Sequence, residues 1–189
     1  MELFNQKSAL KTEIEEIENE IKKTSKMIMS KDLVNMKRVM RRLDMVDKND
    51  VPKLKGKVAA GMSAADEIMT TELIFSGFFQ HLTANQIAAV LSCMVYTDSK
   101  SEGKPPKDDN LAGPFEKLIE TADKVATIMI ESNIELKKEE YVLKFAPEMM
   151  ETTYKWCQGA KFSEICEISE GIFEGTIIRC LRRLDELIS

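Results

Sequence analysis

Residues 63–96 read SAADEIMTTELIFSGFFQHLTANQIAAVLSCMVY, and this stretch carries two successive helix patterns. Ser63 stands where a helix cap is expected. The residues that follow predict a broad buried face made of Ile68, Leu73, Ile74, Phe75, Phe78 and Phe79. Thr83 and Gln86 form a Thr-x-x-Gln capping box, which predicts the start of the second helix. The stretch therefore favours a mainly α-helical fold.

Downstream of this pair, residues 97–110 (TDSKSEGKPPKDDN) combine Gly, two Pro and several charges, and this composition predicts a long loop. Beyond the loop, the spacing of the apolar residues is again typical of helices. The predicted helices run from about Pro114 to Glu131, from Pro147 to Gln158, from Phe162 to Ile168, and from about Glu174 to the end.

Upstream, residues 32–44 (DLVNMKRVMRRLD) predict an amphipathic helix whose polar side carries Lys37, Arg38, Arg41 and Arg42. In residues 51–60, Leu54, Gly56 and Val58 alternate with three lysines, a pattern that predicts a short strand or hairpin leg.

The first thirty residues contain a heptad seam of Leu10, Ile14, Ile17 and Ile21. A seam this short needs a partner helix, because isolated helices gain most of their stability from packing. It fits either a homodimeric coiled coil or one arm of an antiparallel hairpin whose other arm lies outside this sequence. Periodicity does not choose between the two.

The amino-acid composition limits the fold classes that are compatible with this chain. Aromatic residues make up 6% of the chain, with 8 Gly and 5 Pro, which argues against turn-rich β sandwiches and barrels. The net charge is -5, yet residues 31–61 carry nine basic and four acidic side chains, so an anionic partner is compatible with the acidic total.

The 4 scattered Cys predict a reducing compartment. The sequence lacks a secretory signal and an apolar run of membrane-spanning length, so no membrane partner is expected.

The sequence does not predict a catalytic centre. Gly56 and Gly61 have the spacing of a phosphate-binding loop, but Met62 stands where the essential Lys is required. The single histidine, His81, has no neighbouring metal ligands or nucleophile and is interpreted as a capping or surface residue. The cysteines lie beside apolar residues and are interpreted as core. Adjacent acidic pairs indicate a solvated surface. We expect no cofactor and no metal in this chain.

The last helix, FEGTIIRCLRRLDELIS (residues 173–189), has a stripe of Ile177, Leu181, Leu184 and Ile188. This stripe leaves Arg179, Arg182 and Arg183 on the opposite side, together with Glu186. The short helix that precedes it and the tight connection between the two give a pattern similar to a helix-turn-helix motif, in which the second helix faces nucleic acid. The same arginines also fit a merely solvated helix face.

Several segments together resemble a known family. They are MKRVMRRLDMVDKNDVPKLKGKVA, ADEIMTTELIFSGFFQHLTANQIAAVLSCMVY, LAGPFEKLIETADKVA, YKWCQGAKFSEIC and FEGTIIRCLRRLDEL. The chain resembles the C-terminal helical-bundle module, called the DSHCT domain, of exosome-associated DExH-box RNA helicases of superfamily 2, nuclear type. The resemblance implies a stalk (coiled-coil) fragment at 1–30, the second half of a winged helix with a short β hairpin at 31–61, and the helical bundle at 62–189. It also implies that the bundle continues past Ser189.

In that family, an acidic residue after the Leu-Ser-Cys helix and an arginine of the last helix face the RNA bases. By resemblance these correspond to Asp98 and Arg183, with Asp98 standing where the family usually has the longer Glu. Arg179 and Arg182 are expected to meet the RNA backbone, because they share the face of Arg183.

The resemblance further implies a non-catalytic, RNA-contacting accessory domain of an ATP-dependent RNA helicase in nuclear exosome RNA processing and decay. ATP and Mg would bind the motor domains of the parent protein. The implied partners are single-stranded RNA, the exosome and a poly(A)-polymerase-type adaptor complex, and the implied location is the nucleus or nucleolus. The alternative is a protein-interaction scaffold that docks exosome or adaptor subunits without significant RNA binding of its own.

Overall fold

The computed structural model describes residues 2–96, 105–169 and 171–189, without the side chains of residues 2–9, 12 and 23–29. The described chain is mainly α-helical, as the sequence predicts. Its helices are α1 (Glu2–Arg42), α2 (Leu54–Ala60), α3 (Glu67–Phe75), α4 (Ala84–Val95), α5 (Asp109–Glu131), α6 (Lys138–Leu143), α7 (Met150–Cys157), α8 (Phe162–Ile168) and α9 (Glu174–Ile188), with 3-10 turns at Phe78–His81 and Pro147–Met149. None of the described helices is both long enough and apolar enough to cross a bilayer.

Helix α4 is the centre of the bundle. The Thr83 side chain accepts a hydrogen bond from the Gln86 backbone N–H, and the Gln86 side-chain oxygen accepts one from the Thr83 backbone N–H, which confirms the predicted capping box. All residues from Ala88 to Val95 are buried. A helix that is apolar on every side needs neighbours on every side. Helix α4 therefore contributes to two hydrophobic cores at once.

The first core joins one face of α4 to α3, α5 and α6, and its fully buried members include Met69, Leu73, Val90, Leu111 and Leu118. The second core joins the other face of α4 to the 3-10 turn before α7, to α8 and to α9, through Leu91, Val95, Met149, Ile165 and Ile177. Because α4 belongs to both cores, it fixes where α9 lies relative to the rest of the bundle.

Helix α1 passes through residues 30 and 31 without a break. Its last turns pack with Met45 and Ala59 in a third, smaller cluster, against partly buried residues that include Ile128 and Met129 of α5. The division of the chain into segments at residues 30 and 61 stays a prediction.

The strand predicted over Val51 to Ala60 is wrong, because Leu54–Ala60 forms α2. The sole pairing in this part is an isolated antiparallel bridge between Val46 and Pro52. Gly56 and Ala59, three residues apart, are buried on one side of α2. This spacing is helical, and a short apolar run does not distinguish it from alternation until a neighbour covers one face.

Three further details differ from the sequence-based expectation. Asp66, rather than Ser63, caps α3, since its carboxylate accepts from the Met69 backbone at 2.9 Å. Ile74 and Phe75 are each 43% exposed instead of buried. The helix predicted from Pro147 starts as a 3-10 turn, and α5 begins within the predicted loop, at Asp109. Residues 97–104 of that loop lie outside the described residues.

Candidate nucleic-acid interface

Helix α9 begins and ends within the predicted bounds, and one side of it is buried against α4. Ile177 is 0% exposed, and Cys180 and Leu184 are 3% and 5% exposed. The predicted stripe is right for Ile177 and Leu184, and Leu181 is partly buried against the same core. It is wrong for Ile188, which is 58% exposed because the end of the helix extends beyond the core. This buried side fixes the rotation of α9 about its axis.

A buried polar contact holds the connection between α8 and α9. The Ser169 hydroxyl donates to the Ile165 carbonyl at 2.8 Å and lies 2.7 Å from the Thr152 hydroxyl of α7. Gly171 then takes a positive φ of 82°, a left-handed conformation that glycine adopts without steric cost. The two helices predicted on either side, Phe162–Ile168 and Glu174–Ile188, are confirmed.

The arginines of α9 lie on the side that the core leaves open. Arg179, Arg182 and Arg183 are all exposed. Among the described residues, no carboxylate forms an ion pair with any of them. Their charges are thus available to an external anion.

Arg183 lines a groove of about 610 Å³ between three parts of the bundle. The walls are the end of α4, the segment before α3 and the end of α6, represented by Met94, Val95, Tyr96, Ser63, Ala64, Ala65, Asp66, Lys144 and Phe145. The Arg183 guanidinium donates a long hydrogen bond of 3.5 Å from Nη1 to the Val95 carbonyl. The guanidinium is therefore held at the rim, with its remaining N–H groups left for a ligand.

The charges of the groove are two cations and one acid. Asp66 is the acid, and its carboxylate is engaged as the cap of α3; burial raises its pKa above the usual value. Lys144 lies 5.3 Å from the centre of the Tyr141 ring. The lining therefore favours an anion, because only one of its three charged groups is acidic and that group is partly withdrawn from solvent.

Asp98, the predicted acidic partner of Arg183, lies outside the described residues. Tyr96, which lines the groove, is the last described residue before it. The pairing of Asp98 with Arg183 stays a prediction.

The other basic helix face of the sequence behaves differently. Lys37 and Arg41 of α1 both form ion pairs with Asp50, at 3.2 and 2.6 Å. Arg42 pairs with Glu131 of α5, and Lys55 of α2 pairs with Glu72 of α3 at 2.5 Å. Three of the four basic residues on this face of α1 are therefore already paired with carboxylates, and Glu131 and Glu72, which lie outside residues 31–61, offset part of the local positive excess.

The histidine and the cysteines differ in how exposed they are. His81 is exposed in a 3-10 turn, as predicted. Cys93 and Cys180 are buried, and burial raises the pKa of the Cys180 thiol to about 11. Cys157, interpreted as core from the sequence, is exposed, because α7 directs its last turn toward solvent.

Sequence reasoning missed two lining residues, Asp66 and Lys144. Asp66 lies in one of the segments that carry the family resemblance, but nothing in that pattern assigns it to a site, and Lys144 lies in none of those segments. They meet Arg183 only because α3, α6 and α9 all pack around α4, and no local pattern carries that information.

Comparison with known proteins gives a family match and several relatives. The family model of the DSHCT (NUC185) domain matches residues 49–189. The chain is 39% identical over 186 residues to "Exosome RNA helicase MTR4" of Homo sapiens, covering 98% of this chain and 18% of that protein. It is 40% identical over 185 residues to "ATP-dependent RNA helicase mtr4" of Schizosaccharomyces pombe, covering 98% and 16%.

A plant relative, "DExH-box ATP-dependent RNA helicase DExH9" of Arabidopsis thaliana, is 33% identical over 188 residues, covering 100% of this chain and 19% of the relative. The chain thus spans less than a fifth of the length of these relatives. The alignments include the long helix α1 as well as the matched domain.

Proposed function

Since this chain belongs to the DSHCT (NUC185) domain family, we propose that it is a non-catalytic accessory domain of an ATP-dependent RNA helicase and contacts single-stranded RNA. The relatives that support the proposal all carry the name of an RNA helicase. The RNA contact of Arg183 is assigned by resemblance to the family pattern, and the position of Arg183 in this chain supports it.

The observation that carries the RNA contact is the placement of Arg183 at the rim of an open groove, hydrogen-bonded to the Val95 carbonyl and without an ion pair among the described residues. A guanidinium is always charged, offers two parallel donors and stacks on bases. Arg183 contacts a base in this proposal. Arg179 and Arg182, exposed on the same helix, meet the phosphate backbone.

Asp98 is proposed as a further base contact, accepting from an amino group of the same strand. This assignment rests on its resemblance to the acidic residue of the family pattern. An aspartate there reaches less far than the glutamate usual in the family.

In this proposal the domain holds the RNA strand in place and does not catalyse a reaction. A rigid helix end places fixed donors against the strand, while motor domains elsewhere in the parent protein bind ATP and Mg and step along the RNA. Helix α9 suits this role because its buried side is locked in the second core. A contact built on a packed helix is positioned more reproducibly than one on a loop.

The parent protein is proposed to act with the nuclear exosome in RNA processing and decay. The word exosome in the name of the human relative supports this proposal. A poly(A)-polymerase-type adaptor complex is proposed as a further partner, and the nucleus or nucleolus as the location.

A second candidate function, a protein-interaction scaffold, is favoured by one specific observation. Leu10, Ile14, Ile17 and Ile21 of α1 are between 51% and 61% exposed along one side of the helix. Such a row of exposed apolar side chains is typical of an interface that another helix covers. In this candidate function the row docks a helix of an exosome or adaptor subunit, whereas in the proposed stalk fragment it packs against the second arm of the stalk.

The test of RNA contact is a titration of a labelled single-stranded RNA with this chain at several salt concentrations. Binding dominated by phosphate contacts weakens steeply as salt rises from about 50 to 200 mM. The Arg183→Ala variant is expected to bind about tenfold more weakly, since one charged contact with a base is worth about 1–3 kcal/mol.

The matched control is Arg38→Ala, which removes an exposed arginine of α1 far along the chain from the groove. It is expected to bind RNA like the unmodified chain. Binding that is lost equally in both variants would show a general charge effect and would count against the assignment of Arg183.

A further inference from the structure

Lys144 and Arg183 are cations from different helices that line one groove. Lys144 is the C-cap residue directly after α6, and Arg183 belongs to α9. The groove has a volume of about 610 Å³. Sites for one small ligand have volumes of about 300–1,000 Å³. The groove is therefore the size for a single nucleotide unit rather than for a duplex.

The Lys144 side chain is exposed, and no carboxylate of the described residues forms an ion pair with it. The nearby acid, Asp66, is already used as the cap of α3. Other lysines of the bundle, such as Lys55, Lys137 and Lys138, do have carboxylate partners. Lys144 thus has no direct ion pair among the described residues, although it lies close enough to the Asp66 carboxylate to lower the pKa of that group slightly against the larger effect of burial.

The Lys144 ammonium lies over a buried aromatic ring, that of Tyr141, which itself packs against Phe145. Tyr141 and Phe145 are each 3% exposed, and their rings meet edge to face at 5.5 Å between centroids. The Lys144 ammonium lies 5.3 Å from the Tyr141 ring centre, within the range of a cation–π contact. The contact restrains a flexible side chain, which lowers the entropy lost when it binds a ligand.

The two cations differ in what they recognise. An ammonium is a compact point charge without a planar fork, and it suits a phosphate. A guanidinium matches the flat edge or face of a base. A nucleotide presents both groups, with its phosphate and its base on opposite sides of the sugar.

We propose that Lys144 binds a backbone phosphate of the single-stranded RNA whose base Arg183 contacts, so that the two cations together hold one nucleotide of the strand in the groove. This proposal rests on the proposed RNA contact of α9. It adds a second helix, α6, to the RNA-binding surface, and it assigns a phosphate contact where the resemblance assigns none.

The test measures the dissociation constant of a fluorescein-labelled U12 RNA as a function of salt for the whole 189-residue chain and its variants. Each phosphate contact on a single strand contributes about 0.7 to the slope of log affinity against log salt. Lys144→Gln is expected to reduce that slope by about 0.7 and to weaken binding about threefold to fivefold at low salt. Lys144→Arg keeps the charge and is expected to retain the slope.

The matched control is Lys124→Gln, the same change at an exposed lysine of α5 that lines a different groove. It is expected to leave both slope and affinity unchanged, and thermal melts of all variants check that the fold is intact. The phosphate assignment is overturned if Lys144→Gln keeps the original slope, or if Lys124→Gln reduces the slope equally.

The assignment of Lys144 and the proposed function fail in different ways. A chain whose binding depends on Arg183 but not on Lys144 keeps the RNA contact and loses the phosphate site. The RNA contact itself is overturned if the chain does not bind U12 even at low salt, or if Arg183→Ala leaves the affinity unchanged. The assignment of Lys144 is then overturned as well.

Discussion

The Arg183 guanidinium of α9 donates to the Val95 carbonyl at the end of α4, at 3.5 Å. Eighty-eight positions separate the two residues in the chain. The hydrogen bond joins the exposed side of the last helix to the central helix of the bundle. It also uses a carbonyl at the helix end, where the last backbone acceptors have no partner within the helix.

This contact predicts that lysine is a poor substitute for Arg183. Lys keeps the charge but offers neither the planar fork nor the stacking surface. We expect Arg183→Lys to weaken RNA binding about fivefold to tenfold, while the salt dependence stays close to that of the unmodified chain. Fluorescence anisotropy over a salt series measures both quantities. A variant that binds as well as the original would show that only the charge matters.

Gly56 predicts a strong packing effect. A Cβ atom at this position would lie 3.1 Å from the Met45 carbonyl carbon and still nearer to its oxygen. Because backbone atoms cannot move aside like a flexible side chain, Gly56→Ala is expected to lower the free energy of unfolding by about 1–3 kcal/mol. Urea denaturation measures this change. Gly61→Ala, where the nearest atom is 3.5 Å away, is the control and is expected to have little effect.

At Gly175 we expect a change of the opposite sign, in which substitution by alanine stabilises the fold. It lies inside α9, is exposed, and no described atom comes within 4 Å of an added Cβ. Glycine costs about 0.5–1 kcal/mol relative to alanine within a helix. Gly175→Ala is therefore expected to raise the free energy of unfolding by about that amount. A lowered melting temperature would contradict this expectation.

Gly113 is the informative comparison for Gly175, because a Cβ there also meets open space among the described residues. It precedes Pro114 inside α5, however, and a proline ring disfavours helical backbone when the preceding residue carries a Cβ. We expect Gly113→Ala to give no gain in stability. Equal gains at both positions would show that the proline is irrelevant.

The cysteines predict a graded reactivity. Thiolates rather than thiols react, and burial raises the pKa of Cys180 to about 11, so about one thiol in a thousand is ionised at pH 8. Burial also raises the pKa of Cys93 strongly. Brief labelling with iodoacetamide at pH 8, followed by peptide mass spectrometry, is expected to modify Cys157 first. Labelling of Cys93 at the same rate would show that the bundle opens readily.

The raised pKa of the buried Cys93 and Cys180 thiols determines how the stability of the fold depends on pH. A raised pKa means that the folded state retains the proton to higher pH than the unfolded chain. The buried thiols therefore stabilise the fold while protonated, and this contribution declines as pH rises above the ordinary thiol range of about 8.5. Ser substitutions at Cys93 and Cys180 would separate their contributions in melts taken between pH 7 and 10.

Local patterns determined several elements of this protein. The capping box at Thr83, helix α8, helix α9 and the exposure of its arginines all follow from residues close together in the chain, because caps and helical periodicity are local properties. The same information placed Arg183 opposite a buried stripe. The family, too, could be identified from the sequence.

Tertiary structure decided the rest, because the deciding atoms are distant in the chain. Leu54–Ala60 is helical since Gly56 packs against the Met45 backbone, whereas its short apolar pattern suits a strand equally well. Of two basic helix faces, that of α1 is largely paired with Asp50 and Glu131, and that of α9 is free of ion pairs among the described residues. Only packing around α4 places Lys144 and Arg183 at one groove.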